Sequence, residues 1–344
     1  MLPPAPARQA GLRQVSDRNP GLSRRRAGRG FVYLDAAGRR LTRQSDLARI
    51  RGLAIPPAWT AVWICPHPRG HIQAVGRDAR GRKQFLYHAD WRAARDEAKF
   101  HRLAGFAGVL PRIRRRVARD LRRPRLDREK VLATVVRLLD TTLVRVGNES
   151  YYRRNGSVGL STMRRRNVSV HGGVLHLAFR GKSGRHHEID LEDPRLARIV
   201  RRLQDLPGQE LFHYHDADGG INVVTSQAVN DYLHATAGAV YSAKDFRTWA
   251  GTVLAARVLH DIGPAANRRE TARRITEAIK LVARRLGNTP AICRRCYVDP
   301  RILDHYRRGR TISGPGHGAA GESPGRRDLN ADERAVRAFL QRRR

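Results

Sequence analysis

The sequence predicts an α+β fold: a small β-rich amino-terminal part, a larger and mainly α-helical part, and a three-stranded hairpin sheet set among those helices. Three observations carry this. Short apolar stretches separated by turn residues occupy residue 31 to about 90, helical periodicity takes over from Trp91, and one block of period-two alternation interrupts the helices between Val168 and Leu191.

In the first part the expected strands are 31–34, 62–65, 71–76 and 84–87, with a helix over 44–51 between the first two. Residues 77–83 form a strongly basic turn before the last strand, followed by the aromatic side chains Phe85 and Tyr87. Arg80, Arg82, Lys83, Gln84 and Tyr87 are therefore candidate DNA-binding residues; a solvated turn beside core aromatics fits the same pattern.

Helices are expected over 91–103 and 110–121, the second closed by Pro124. A clearer one runs over about 128–144, with Val131, Val135, Leu138, Leu139 and Thr142 on one face. Gly147 is expected to end it, which puts Arg145 on its last turn, where an arginine can also simply complement the helix dipole. In the alternating block, Val168 and Val170, then Leu175, Leu177 and Phe179, then His187, Ile189 and Leu191 mark three strands. Lys182 sits at the tip of the second turn, where a long side chain can reach into a groove. Gly181, Lys182 and Ser183 mimic the end of a phosphate-binding loop, but the earlier glycine it requires would fall at His176, so no nucleotide site is expected.

Asp193 and Pro194 open a helix to about Leu206, 213–219 reads as a polar loop too short to bind calcium, and Ser226 can cap a helix to Ala235. Residues 244–251 open another helix, with Arg247 at its start and Trp249, Val253 and Ala256 spaced to pack. Ile275, Ala278, Ile279, Val282 and Leu286 share a helical face that Gly287 should terminate. Thr289 and Pro290 then start a short helix with Tyr297 about two turns in, a place where a lone tyrosine ordinarily packs.

The expected organisation is a disordered basic arm over 1–30, a β-rich DNA-binding domain over 31–90, a catalytic domain over 91–310, and a flexible linker with a short terminal helix over 311–344. Asn330 and Glu333 resemble a capping box for that last helix, whose short stripe of Val336, Phe339 and Leu340 suggests weak docking.

Composition limits the functions. The 344 residues, 40% hydrophobic, suffice for one or two cores, and 68 Lys+Arg against 31 Asp+Glu give a net charge of +37 that calls for a polyanion. The excess recurs in every segment, which favours a protein that surrounds nucleic acid. No apolar run has membrane-spanning length and the first residues are not a secretory signal, so no membrane partner is expected. Cys65, Cys293 and Cys296 are an odd number, pointing to a reducing compartment; Cys293 and Cys296 are half a zinc site with no second pair, so neither metal nor cofactor is expected. Only six basic residues are lysines against 62 arginines, and Lys182 and Lys244 are two of the six. A lysine kept in such a background marks a place where a proton has to move, because an ammonium can be tuned and a guanidinium effectively cannot.

Arg145 in Leu-Val-Arg-Val-Gly-Asn, Lys182 in a Gly-Lys hairpin, Lys244 and Arg247 in Lys-Asp-Phe-Arg-Thr, Asn288 in Leu-Gly-Asn-Thr-Pro, and Tyr297 stand in one order. That order and setting resemble the compact, poxvirus-like type IB DNA topoisomerases found in bacteria. The segments Ile-Pro-Pro-Ala-Trp at 55–59 and Gly-Arg-Lys-Gln at 81–84 resemble the same family, so the likeness covers roughly 30–310. It implies a C-shaped clamp around duplex DNA, a monomer in the cytoplasm associated with the nucleoid, and no nucleotide. It also implies Tyr297 as nucleophile, Arg145 and Arg247 as ligands of the scissile phosphate, and Lys182 as general acid with Lys244 assisting. Two departures stand out. Asn288 replaces the catalytic histidine of many members, and Phe85 with Tyr87 replaces a pair of tyrosines. An asparagine still donates a hydrogen bond, so only proton transfer at that position is put in doubt.

The chemistry suits these residue types. A phenol that displaces the DNA 5′-oxygen conserves the phosphodiester's energy in a tyrosyl ester, so resealing needs no ATP. Two arginines and an amide can stabilise the charge on the non-bridging oxygens. The leaving alkoxide is far more basic than a phenolate of pKa about 10 and needs a proton donor. A tyrosine recombinase shares much of this constellation, but recombinases usually carry histidine where Lys244 stands and have a helical core-binding domain. A nonenzymatic DNA- or RNA-binding protein would explain the charge but not the ordered set.

Overall fold

A computed structural model describes residues 10–216, 218–312 and 327–342. They divide into two compact units, Met1–His101 and Arg102–Arg344.

The first unit is built on a five-stranded antiparallel sheet of strands β1 (Leu22–Ala27), β2 (Gly30–Leu34), β3 (Thr60–Ile64), β4 (Ile72–Arg77) and β5 (Lys83–Tyr87), in the order β2-β1-β3-β4-β5. Helix α1 (Gln44–Gly52) packs Ile50 against Leu22, Ile55, Val62, Ile64 and Ala74, and α2 (Ala89–His101) completes the unit. The strands expected from sequence are present, but the expected arm is not a free arm where it is described. Its triple-arginine run is part of β1, paired with β2 on one side and β3 on the other. Alternation explains it: Leu22 faces the core, and Arg24, two residues on, shares that face. The Arg24 guanidinium donates to the carbonyls of Ile55 (3.0 Å), Pro56 (2.9 Å) and Trp59 (2.7 Å) and lies 4.1 Å over the ring of Phe31. A residue that reads as solvated charge thus fastens the Ile-Pro-Pro-Ala-Trp segment. Residues 1–9 of the expected arm lie outside the described residues.

The second unit is mainly helical. Helices α3 (Leu103–Asp120), α4 (Arg128–Thr142) and α5 (Glu149–Asn155) precede an antiparallel sheet, β6 (Val168–His171), β7 (Val174–Arg180) and β8 (His186–Glu192). Then come α6 (Pro194–Gln204), the hairpin β9 (His213–His215) and β10 (Ile221–Val223), α7 (Ser226–Ala237), α8 (Ala243–Ile262), α9 (Arg268–Leu286), α10 (Pro290–Cys296), α11 (Pro300–Arg307) and α12 (Ala331–Gln341). The core centres on α4, whose Val131, Leu132, Ala133, Val135, Val136, Leu138 and Leu139 are all buried. Such a helix is buried on all sides, and each of its large aliphatic side chains contributes roughly 1.5–3 kcal/mol of burial.

Several expectations are corrected. Helix α3 starts at Leu103, about two turns before the expected start, and continues through Pro111. Helix α4 ends at Thr142, because Leu143 adopts the left-handed conformation (φ 59°), so Gly147 does not end it and Arg145 lies beyond its last turn. The polar loop at 213–219 is largely a β-hairpin, since Asp216 accepts the backbone N–H groups of Asp218 (3.1 Å) and Gly220 (2.7 Å) and closes the turn. The cap of α7 is Thr225, whose hydroxyl accepts from Ala228 N (3.1 Å), and not Ser226.

The terminal helix α12 is tied in by more than its apolar stripe. Asn330 and Glu333 form the expected capping box, but Glu333 is also buried. Its carboxylate accepts two hydrogen bonds from Arg114 on α3 (2.9 Å each) and one from the indole N–H of Trp249 on α8 (3.1 Å). Arg114 in turn pairs with Asp140 of α4 at 2.8 Å. One carboxylate therefore links three helices. Residues 313–326, most of the expected linker, lie outside the described residues. Glu333→Ala should cost about 3 kcal/mol, because it leaves buried donors of Arg114 and Trp249 unsatisfied. Urea unfolding of the full chain measures this, and a loss indistinguishable from zero would show that the cluster does not hold α12.

Candidate active site

Arg247 lies in the first turns of α8, buried between two helix ends. Its guanidinium donates one hydrogen bond to the carbonyl of Leu143, just past α4, and another to the carbonyl of Leu286, the last residue of α9, at 2.6 Å. Carbonyls at helix C-termini lack intrahelical donors and carry the negative end of the dipole, so both ends stabilise the cation they hold. Burial, and then Arg145, lower the pKa of Arg247, but a guanidinium starts so high that it stays charged. Its Nε is buried with no hydrogen-bond partner.

Gly287 ends α9 in the left-handed conformation (φ 58°), as its position in the sequence predicts, and sets Asn288 beside Arg145. Arg145 donates to the Asn288 Oδ1, and this assigns the amide: Nδ2 is then buried without a partner. The Asn288 backbone carbonyl accepts from Arg185 at 2.9 Å. Arg145 is itself held through its backbone, since Leu160 N donates to the Arg145 carbonyl (2.9 Å) and Ser161 N to that of Val146 (2.6 Å). Arg145 is thus carried by a strapped segment and not by a helix turn.

His187 of β8 is half-buried in the same cluster, stacked on Phe179 with ring centroids 5.0 Å apart. Burial first, then Arg145, Arg247 and Arg185, push its pKa down, so it is neutral at physiological pH. The ring fills the space between two glycines: a Cβ on Gly181 would come within 2.8 Å of it and one on Gly287 within 2.3 Å. Sequence reasoning places His187 only as a strand residue. The available signal is its register, which sets a histidine two residues before Ile189 on one face of the hairpin that carries Lys182.

Tyr297 is the C-cap of α10 and not an interior residue, because α10 ends at Cys296. Thr289 caps the start of that helix and Pro290 opens it, as expected. The Tyr297 ring has Arg247 at 5.2 Å from its centroid. Its carbonyl accepts from the Thr252 hydroxyl (3.3 Å), whose oxygen accepts from Asp299 N (3.1 Å), and a Cβ on Gly251 would lie 2.6 Å from that carbonyl. One helix, α8, therefore presents Arg247, Gly251 and Thr252 to the tyrosine. Cys293 is buried in α10, and burial pushes its thiol up to about 11, which keeps it neutral.

Arg145, Arg247, Asn288 and Tyr297 are brought together, and Arg185 and His187 join them. Lys182 and Lys244 are exposed, and their ammonium groups make no hydrogen bond or ion pair with the described residues. Lys182 lies in the tight β7–β8 turn, closed by Gly181 N donating to the Arg185 carbonyl at 2.7 Å, and Lys244 is one helical turn before Arg247.

The other candidate residues belong to the first unit, where Asp78 organises the basic turn. One carboxylate oxygen accepts the backbone N–H groups of Arg80 and Arg82 (3.0 Å each), and the other accepts the Arg82 guanidinium (2.6 Å) and the Gln84 amide (2.9 Å). Hydrogen bonding from Arg82 holds Asp78 well below the usual carboxylate range. Lys83 pairs with Asp17 at 2.6 Å, and Phe85 stacks on Tyr87 with centroids 5.9 Å apart.

The chain that carries this cluster matches two known families. The family described as eukaryotic DNA topoisomerase I, catalytic core, matches residues 88–307, and that described as bacterial DNA topoisomerase IB, N-terminal domain, matches 30–78. The chain belongs to the type IB DNA topoisomerases. Among its relatives, the DNA topoisomerase 1B of Acanthamoeba polyphaga mimivirus is 31% identical over 83% of this chain and 87% of its own length. The DNA topoisomerase 1B of vaccinia virus (strain Copenhagen) is 24% identical over 67% of this chain and 71% of its own. The protein is a type IB DNA topoisomerase enzyme; neither a recombinase nor a purely architectural protein is favoured by these matches. Among the described residues no helix is long and apolar enough to cross a membrane.

Gly287→Ala should destabilise the fold by about 1–3 kcal/mol, since it combines a left-handed backbone with a collision against His187. Thermal unfolding monitored by circular dichroism tests this. A variant as stable as the parent would mean that the ring of His187 is free to move away.

Proposed function

We propose that Tyr297 is the nucleophile of strand cleavage, that Arg145, Arg247 and Asn288 bind the scissile phosphate, and that Lys182 protonates the leaving 5′-oxygen, with Lys244 assisting. The observation that carries this is the unpartnered donor set. Asn288 Nδ2, next to Arg145, and Arg247 Nε, next to the ring of Tyr297, are buried without acceptors among the described residues, and a phosphodiester oxygen is the acceptor that a type IB topoisomerase would bring there. The phenol Oη attacks phosphorus and the bond from phosphorus to the 5′-oxygen breaks. A 3′-phosphotyrosyl ester and a free 5′-hydroxyl result. Attack by that hydroxyl reverses the step, so strands reseal after rotation without ATP or metal.

Asn288 acts in this scheme as a donor alone. Arg145 holds its Oδ1, which turns the amide N–H toward the phosphate and leaves no proton to transfer. Neutral His187 packs beneath the cluster and positions the turn that carries Asn288. The two lysines are the free ammonium groups near the cluster by sequence and turn geometry, and their exposure in the protein alone is consistent with ordering by DNA.

We further propose that the protein works as a monomer on duplex DNA, closing its two units as a C-shaped clamp in the cytoplasm at the nucleoid, with no nucleotide. Arg80, Arg82, Lys83, Gln84 and Tyr87 would contribute phosphate and base contacts from the first unit. The distributed charge of +37 supports this reading, as does the Asp78 network that fixes Arg82 and Gln84 in advance of binding.

Tyr297→Phe should retain DNA affinity while abolishing plasmid relaxation and the denaturant-resistant protein–DNA adduct; an adduct persisting in this variant would remove Tyr297 as nucleophile. Lys182→Arg should slow cleavage by roughly 10²–10⁴-fold, because a guanidinium holds its proton too tightly. A substrate with sulfur at the 5′-bridging position tests this assignment, since a thiolate leaves without protonation. Lys182→Arg should then cleave it nearly as fast as the parent, while Arg145→Ala and Arg247→Ala stay slow. Rescue of all three or of none would move the general acid elsewhere.

A further inference from the structure

The second unit holds a cavity of about 340 Å³ that the reaction does not use. Its walls come from α3 and α4, from the start of α6 and from Arg327 ahead of α12, with Phe246 of α8 contributing an aromatic side chain. The apolar part is formed by Ile113, Val117, Leu121, Val136 and Phe246. Set into this wall is Arg137, only 7% exposed. Its guanidinium makes no hydrogen bond with the described residues, and its one polar contact is an ion pair with Asp193 at 3.7 Å; Nη2 is fully enclosed and unpartnered.

A buried guanidinium with five donors and no hydrogen bond is costly and calls for an explanation. Asp193 answers it only in part: its Oδ1 caps α6, accepting from Arg195 N and Leu196 N at 3.1 Å each, and its Oδ2 stands 3.7 Å from Arg137, beyond hydrogen-bond distance. Arg114 is saturated by Asp140 and Glu333. Arg122, Arg195 and Arg327, by contrast, are exposed at the rim, and none of these side chains is paired with a carboxylate among the described residues. Arg114 apart, four guanidiniums thus share one cavity with a single carboxylate partner between them among the described residues, that of Asp193. Each of the other two carboxylates in reach is already committed to Arg114.

We propose that this cavity binds a small phosphate monoester carrying a compact apolar or aromatic group. A dianionic phosphoryl group offsets most of the charge left over by Arg122, Arg137, Arg195 and Arg327, and its oxygens supply the acceptors that Arg137 lacks. The apolar wall takes the esterifying group. A cavity of this size lies within the range of small-molecule sites, whereas duplex DNA presents its phosphates on a convex surface that does not enter such a recess. The site is separate from the reacting cluster: Arg247 follows Phe246 on α8 but turns to the ends of α4 and α9, while Phe246 lines the cavity.

Calorimetric titration of the full chain with phenyl phosphate and, separately, with inorganic phosphate tests this. Phenyl phosphate should bind at least about tenfold more tightly than inorganic phosphate, a difference of about 1.4 kcal/mol. Arg137→Met should weaken phenyl phosphate by at least about tenfold while plasmid relaxation continues at the parental rate, and the ligand-free variant should be no less stable than the parent. The rim variant Arg122→Gln/Arg195→Gln, which alters only exposed side chains, should weaken phenyl phosphate several-fold and covers the case in which Arg137→Met does not fold. No binding by the parent would make the recess a water-filled cavity and overturn the proposal. So would affinity unchanged in the rim variant or in Arg137→Met, which would place the anion elsewhere on the basic surface, the reacting cluster included.

Discussion

The second unit depends on how one buried cation is held. Arg247 has no carboxylate partner among the described residues; it is fixed by carbonyls at the ends of α4 and α9, two helices that the chain reaches over a hundred residues apart. A carboxylate would have neutralised the guanidinium and competed with any phosphate for it. Carbonyls at helix ends stabilise the charge without cancelling it, so the group remains electropositive and retains a donor at Nε. The geometry of α4 follows from this requirement. The helix must stop where its last carbonyl can reach Arg247, and Leu143 takes a left-handed conformation that an apolar side chain adopts only at some cost, on the order of 1 kcal/mol or more.

The same helix start organises the rest of the cluster. One turn beyond Arg247, Gly251 and Thr252 meet the carbonyl of Tyr297, so arginine and tyrosine are registered on a single rigid element. On the opposite side Trp249 reaches Glu333, and through it α3 and α12. The terminal helix is therefore part of the packing that holds α8, although the chain has passed the matched catalytic core before reaching it. A buried carboxylate shared by an arginine and an indole is a demanding arrangement, satisfied only when all three helices are in place, and it makes their docking mutually dependent.

Local signals in the sequence were legible where short-range physics decides. Gly287 at the end of α9, Thr289 and Pro290 at the start of α10, Asp193 before Pro194 and the three hairpin strands follow from capping and alternation, and all are observed. Long-range partners overrode the rest. Nothing near Arg24 announces that three carbonyls from 55–59 await its side chain, so a strand of the sheet read as a disordered arm. Periodicity carried the expected helix past Thr142, whereas the native stop is set by Arg247, a residue far along the chain. His187 was read as a strand residue because its role depends on the space between Gly181 and Gly287, which no local pattern encodes.

Lysine scarcity shows how far a compositional signal reaches. Of the six lysines, Lys83 pairs with Asp17 at 2.6 Å and Lys130 is buried with its ammonium on the carbonyl of Arg123, roles in which charge or reach suffices. Lys182 and Lys244 differ in that their ammonium groups have no partner among the described residues and stand adjacent in turn or helix to the phosphate-binding candidates. Scarcity alone therefore selects a set that is too large, and it becomes specific only when joined to position.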